Sequence, residues 1–208
     1  MLKTIRYAAF GLIALLSAGW GVVWFTDGDL GKLRLENLGA AIPGGVTVGG
    51  PFALTDTKGA TVTEATFRGR WMLVYFGYTY CPDVCPTELQ TISVALDKLG
   101  PAGKPIVPIF ITIDPERDTQ AALAEYVKLF DDRLVGLTGT KEQVAAAARS
   151  YRVYFAKTTP KDASAYLMDH SSFIYLLGPD GTLRTLFRQG VGAQELADSL
   201  KSRLSAGS

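Results

Sequence analysis

Two cysteines and one histidine are the chain's whole stock of strong soft-metal and thiol chemistry. The cysteines lie four positions apart in FGYTYCPDVCP, residues 76–86. Where a helix begins, Cys81 and Cys85 can present both sulfurs to one point. Pro86 suits the first helical turn, where its missing N–H is no loss. The positive end of the helix favours negative charge and lowers a thiol's pKa. Metal binding and disulfide exchange both need a thiolate, so the pair is suited to either. A purely structural disulfide is the weaker reading, because a bridge across three intervening residues constrains little of the unfolded chain. The extra intervening residue also departs from the Cys-x-x-Cys spacing of general thiol exchange.

His170 stands in YLMDHSSF, residues 166–173, just before a predicted strand. A lone histidine is ordinarily a surface or satisfied core residue. This one lies at a strand mouth, on the edge expected for the cysteine loop, which makes it a candidate third ligand. Two thiolates and an imidazole suit copper in either state, since thiolate selects Cu(I) and imidazole suits Cu(II). Zinc accepts the same donors but ordinarily takes a fourth. Met168 is a soft extra donor in principle and a core residue by expectation. Asp114, Arg117 and Asp118 follow the second central strand in DPERD, residues 114–118. They can form a hydrogen-bonded shell that tunes the thiols. They also read as a helix start, with Asp118 or Thr119 as N-cap, and the two readings are compatible. Asp83 reads as a turn residue.

These residues need elements to hold them. Residues 52–55 and 61–63 flank a turn and predict a small hairpin. Residues 71–76 are a continuous apolar run, predicted as a central strand buried on both faces. Residues 87–99 carry Leu89, Ile92, Leu96 and Leu99 at helical spacing, with Gly100 as the stop. A second buried strand is predicted over 105–113, a helix over 119–130, a short strand over 134–137 and an alanine-rich helix over 141–150. A further strand is expected over 151–156. Residues 171–177 and 182–188 pair around the turn GPDG. A helix over 194–204 closes the chain. Alternating strands and helices followed by a hairpin indicate an α/β domain with a mixed sheet. Its sites belong at the carboxyl ends of the strands, where the cysteines fall.

The N-terminal part is of another kind. Residues 7–26 are twenty residues without a charge, preceded by Lys3 and Arg6. That length and composition predict one transmembrane helix, and the flanking charge predicts a cytoplasmic N-terminus with the remainder exported. A cleaved signal peptide is the alternative, but the apolar run extends beyond an ordinary signal core. Residues 27–50 hold seven glycines and read as a tether. The expected organisation is therefore an anchor over 1–26, a tether over 27–47 and a domain over 48–208. Apart from Lys3 and Arg6, 19 of the 21 basic residues face 20 acidic ones. A near-neutral domain gives no support to nucleic-acid binding.

The chain resembles the SCO/SenC family of copper-delivery proteins. The resemblance is carried by GGPFAL (49–54), FGYTYCPDVCP (76–86), ITIDPERDT (111–119) and YLMDHSSFIYLLGPDG (166–181), in that order. Gln120 is the one departure, at a position where the family often has proline. The resemblance implies a thioredoxin-like fold and copper, as Cu(I) or Cu(II), bound by Cys81, Cys85 and His170. It implies a role in assembling the binuclear copper site of cytochrome c oxidase. The implied partners are the copper-bearing oxidase subunit, other copper chaperones and a thiol reductant. The charge-flanked apolar segment, with no Arg- and Ser-rich presequence ahead of it, gives the expected setting as a bacterial inner membrane with the domain in the periplasm. The family also contains proteins thought to act as thiol-disulfide reductases, which would make Cys81 and Cys85 a redox-active pair and keep an enzyme reading open.

Overall fold

A computed structural model of the protein describes residues 47–159 and 165–206. The expected anchor over residues 7–26 and nearly all of the tether lie outside the described residues. Among the described residues no helix is long and apolar enough to cross a membrane.

The chain forms β1 (Ala53–Asp56), β2 (Thr61–Thr63), β3 (Trp71–Gly77), α1 (Val84–Leu99), β4 (Ile106–Thr112), α2 (Gln120–Val127), β5 (Val135–Thr138), α3 (Lys141–Ser150), β6 (Phe155–Thr158), β7 (Leu167–His170), β8 (Phe173–Leu177), β9 (Leu183–Arg188) and α4 (Ala193–Ala206). Seven strands make one mixed sheet in the order β2-β1-β5-β4-β3-β8-β9. β3, β4 and β5 run parallel, while β8 joins β3 antiparallel. Every residue of β3 and of β4 is buried, which explains their unbroken apolar runs. α1 packs against α4, and α2 lies against β5.

Three expectations are corrected. α1 begins at Val84 rather than Thr87, so Cys85 is inside the helix and Cys81 is ahead of it. α2 ends at Val127, three residues early. The strand expected over 151–156 begins only at Phe155, because residues 151–153 close α3. The Val153 N–H donates to Ala148 O and the Arg152 N–H to Arg149 O, the paired bonds of a Schellman ending. Arg152 occupies its left-handed position at φ 56°. β6 then pairs antiparallel with β7, placing Phe155 opposite His170 in a separate two-stranded sheet.

Candidate metal centre

β3 delivers the chain to the site at its carboxyl end. Gly77 closes that strand beneath the cysteines. A Cβ there would stand 2.8 Å from Cys85 Sγ and 2.8 Å from the Phe110 ring, so only glycine lets the sulfur approach the sheet. The loop that follows is fixed from below. Asp118 is fully buried and accepts from the Thr79 N–H at 3.0 Å and the Thr79 hydroxyl at 2.6 Å. It also accepts from the Thr112 hydroxyl at 2.6 Å. Thr119, not Asp118, caps α2, its hydroxyl accepting from the Ala122 N–H at 3.2 Å. Asp118 is thus free to hold the loop two residues before Cys81.

At the start of α1 the Cys85 N–H has no intrahelical acceptor. It donates instead to Cys81 Sγ at 3.3 Å. Asp83 occupies the N-cap position without a capping bond from its side chain, and the Cys81 sulfur takes that place. Cys85 itself is wholly buried, with the Tyr75 hydroxyl 3.8 Å from its sulfur. Neither cysteine is in a disulfide.

The third group arrives on the small hairpin. His170 Nε2 is 3.6 Å from Cys85 Sγ, and Nδ1 is 3.1 Å from the carbonyl oxygen of Ser171. A carbonyl only accepts, so Nδ1 carries a proton, and Nε2 is the ring nitrogen turned toward the sulfurs. The rings of Tyr75 and Tyr78 meet the imidazole edge-on, at centroid distances of 6.4 and 6.0 Å. One ligand atom from each of Cys81, Cys85 and His170 lies within 4.8 Å of the other two. Two sulfurs and one imidazole nitrogen at this separation fit a soft or borderline ion of low coordination number.

The thiols are unequal. Cys81 is pulled down to about 4, chiefly because Cys85 offers its thiol hydrogen, helped by His170 and the Cys85 N–H and opposed by burial. Cys85 is pushed well up, first because the Cys81 sulfur accepts its proton and then by burial. One thiolate and one thiol share the pocket, and the thiolate is the half-exposed member.

Asp114 and Arg117 do not reach the sulfurs. The Arg117 Nε donates to Asp114 at 2.5 Å, and its Nη1 donates to the Tyr166 carbonyl at 2.9 Å. The Tyr166 hydroxyl donates to Asp114 at 2.9 Å. Met168 is buried among core residues, as expected. Tyr75, Thr79, Tyr166 and Glu88 were not foreseen. Glu88, one turn beyond Cys85, is buried and accepts from the Gly190 N–H at 2.7 Å, and burial raises its pKa. For Glu88 the signal was a carboxylate at 85 + 3 on the apolar face of α1. For the others nothing in the local pattern marked them.

Residues 41–205 match the family model described as SCO1/SenC. The chain belongs to the SCO1/SenC family. Among its SCO1/SenC relatives is "Protein SCO2 homolog, mitochondrial" of Bos taurus, 40% identical over 196 residues, covering 93% of this chain and 74% of that one. The crystal structure of Arabidopsis thaliana ScoI with copper bound is 42% identical with a TM-score of 0.73, covering 76% of this chain and 99% of that one. The structure of Bradyrhizobium japonicum ScoI with copper bound is 44% identical with a TM-score of 0.68, covering 74% and 98%. The expected thioredoxin-like mixed α/β fold is shared with these SCO structures.

Proposed function

We propose that the protein holds one copper ion between Cys81 Sγ, Cys85 Sγ and His170 Nε2 and hands it to an acceptor copper site. The acceptor of this reading is the binuclear site in the copper-bearing subunit of cytochrome c oxidase, reached directly or through other copper chaperones. The observation that carries it is the convergence of two sulfurs and an imidazole nitrogen within 4.8 Å. Relatives of 42% and 44% identity whose structures are described with copper bound support the same cargo. Copper is the cargo, and the chain's own residues set its hold. Cys81 offers a thiolate at the half-open edge, Cys85 a second sulfur from the helix, and His170 a nitrogen on the hairpin. Asp118 fixes the approach of the cysteine loop through Thr79.

The test is copper stoichiometry and optical spectrum of the reduced full-length protein after addition of Cu(I) or Cu(II). One equivalent is expected, with a thiolate-to-Cu(II) band that Cys81→Ser removes. An absence of stoichiometric copper in the reduced protein sinks the reading.

A second reading is favoured by the inequality of the thiols. The half-exposed Cys81 thiolate would attack one sulfur of a partner's disulfide and expel the other as thiolate. The Cys85 sulfur, giving up its proton, would then attack Cys81 and release the partner's second thiol. The chain would be left with a Cys81–Cys85 disulfide, which an external thiol reductant must reset. In this reading Cys81 is the attacking cysteine and Cys85 the resolving one. Both readings place the domain of residues 48–208 on the exported side of a membrane, tethered through residues 27–47 to an anchor over 7–26. Membrane association of the full chain, lost on deleting residues 1–26, tests that arrangement.

A further inference from the structure

The trio is assembled from two separate pieces of structure. The cysteines belong to the end of β3 and the start of α1, while His170 belongs to the β6–β7 hairpin, which shares no ladder with the main sheet. Arg117 lies between them. Its guanidinium stands 3.7 Å from the centroid of the Tyr166 ring and 4.7 Å from that of the Tyr80 ring. Tyr166 leads into β7, and Tyr80 immediately precedes Cys81. The cation therefore touches both ligand-bearing segments. Arg117 is itself fixed by its bond to Asp114 and by donation to the Tyr166 carbonyl. Lys157, paired with Glu116, sits 4.4 Å from the centroid of the Tyr166 ring.

We infer that Arg117, stacked between Tyr80 and Tyr166, is a positioning residue that holds the His170 hairpin against the cysteine loop. The physical case rests on what an arginine can do there. A planar guanidinium stacks on aromatic rings while its N–H groups bond in its own plane, and a lysine cannot do both. Removing either ring leaves the hairpin tied by fewer contacts to the elements that carry the sulfurs. The inference rests on the reading of Cys81, Cys85 and His170 as copper ligands. Its consequence is that the clamp sets how readily His170 leaves the trio, and so the rate at which metal is released.

The experiment uses full-length protein with Tyr166→Leu, Tyr166→Phe, Arg117→Lys and Tyr80→Leu. Two quantities are read: transfer of bound Cu(I) to a chromogenic chelator, and hydrogen exchange of the β7 amides in the metal-free, reduced protein. Tyr166→Leu and Arg117→Lys should release copper faster by about tenfold or more, the scale on which outer residues tune metal sites. The same variants should speed exchange in β7 and leave β3 and β4 unchanged. Tyr166→Phe keeps the ring over Arg117, loses only the hydroxyl bond to Asp114, and should speed release far less than Tyr166→Leu. Tyr80→Leu removes an exposed ring, 58% accessible, and should speed release without loss of fold. Unchanged release and unchanged β7 exchange in Tyr166→Leu would overturn the inference. So would acceleration shared equally by all strands, which marks general destabilisation. If the parent holds no stoichiometric copper, the copper reading falls, and β7 exchange alone then decides whether the clamp exists.

Discussion

Cys85 and His170 face each other across 3.6 Å, yet they stand on unlike foundations. The cysteine side is built on β3 and β4, whose fourteen residues are all buried, and on a carboxylate that accepts three hydrogen bonds without any exposure. The histidine side is a hairpin of four-residue strands that sends one side chain, Met168, into the core and is otherwise held by Arg117, Asp114 and the Glu116–Lys157 pair. Apolar burial and a saturated buried acid give a rigid platform. Stacking and partly exposed ion pairs give a weaker hold. A site that must bind and then give up a metal gains from this asymmetry, because ligand exchange can begin on the looser side.

The contrast is broken most severely by removing a ligand from each side in turn. Cys85→Ser should abolish stoichiometric copper binding. His170→Ala should retain weaker Cu(I) binding, lowered by at least about tenfold or 1.4 kcal/mol, with thiol exchange largely intact. Competition with a chelator of known affinity reads both, and parent-like affinity in His170→Ala would refute the site.

The pH dependence of labelling comes next in size. The thiolate of Cys81, held down to about 4 by the Cys85 thiol, His170 and the Cys85 amide, remains charged from pH 8 to 6. Iodoacetamide should label it within about twofold over that range, whereas an ordinary thiol slows close to a hundredfold as it takes up its proton. Below roughly pH 4 labelling of Cys81 should fall away. A tenfold loss per pH unit already at pH 7 would show that Cys85 does not share its proton.

Asp118→Ala probes the rigid side. It strands the Thr79 N–H and the hydroxyls of Thr79 and Thr112, a loss of about 3 kcal/mol in urea unfolding. Tyr166→Phe, its counterpart on the loose side, removes one hydrogen bond and should cost only about 1 kcal/mol. Equal losses would erase the proposed difference. The smallest effect is expected at the entrance to the hairpin. Arg152 holds a left-handed conformation that glycine adopts freely, so Arg152→Gly should stabilise the protein by at most about 1 kcal/mol, read as a small rise in the thermal midpoint.

Much of this was legible in the chain. Long apolar runs named β3 and β4, because a strand buried on both faces has no room for polar residues. Leucine spacing with Gly100 named α1 and its end. The β6–β7 hairpin escaped notice, since FAKT and LMDH are short, half-polar and give no periodicity. Without that hairpin His170 could be ranked as a candidate but not placed. The dual reading of Asp118 and Thr119 was likewise open, and the fold divided it, giving the helix cap to Thr119 and the buried brace to Asp118.

By itself, then, the sequence determined the donor types, the loop that carries the sulfurs and the central strands beneath it. Those depend on residue identity and on local spacing, which a linear chain displays. Only the tertiary structure decided that His170 faces Cys85, that Cys81 and not Cys85 bears the charge, and that Arg117 lies between Tyr80 and Tyr166. Each of these depends on groups 37 to 85 positions apart or on which of two similar thiols is buried, and sequence distance carries no record of either.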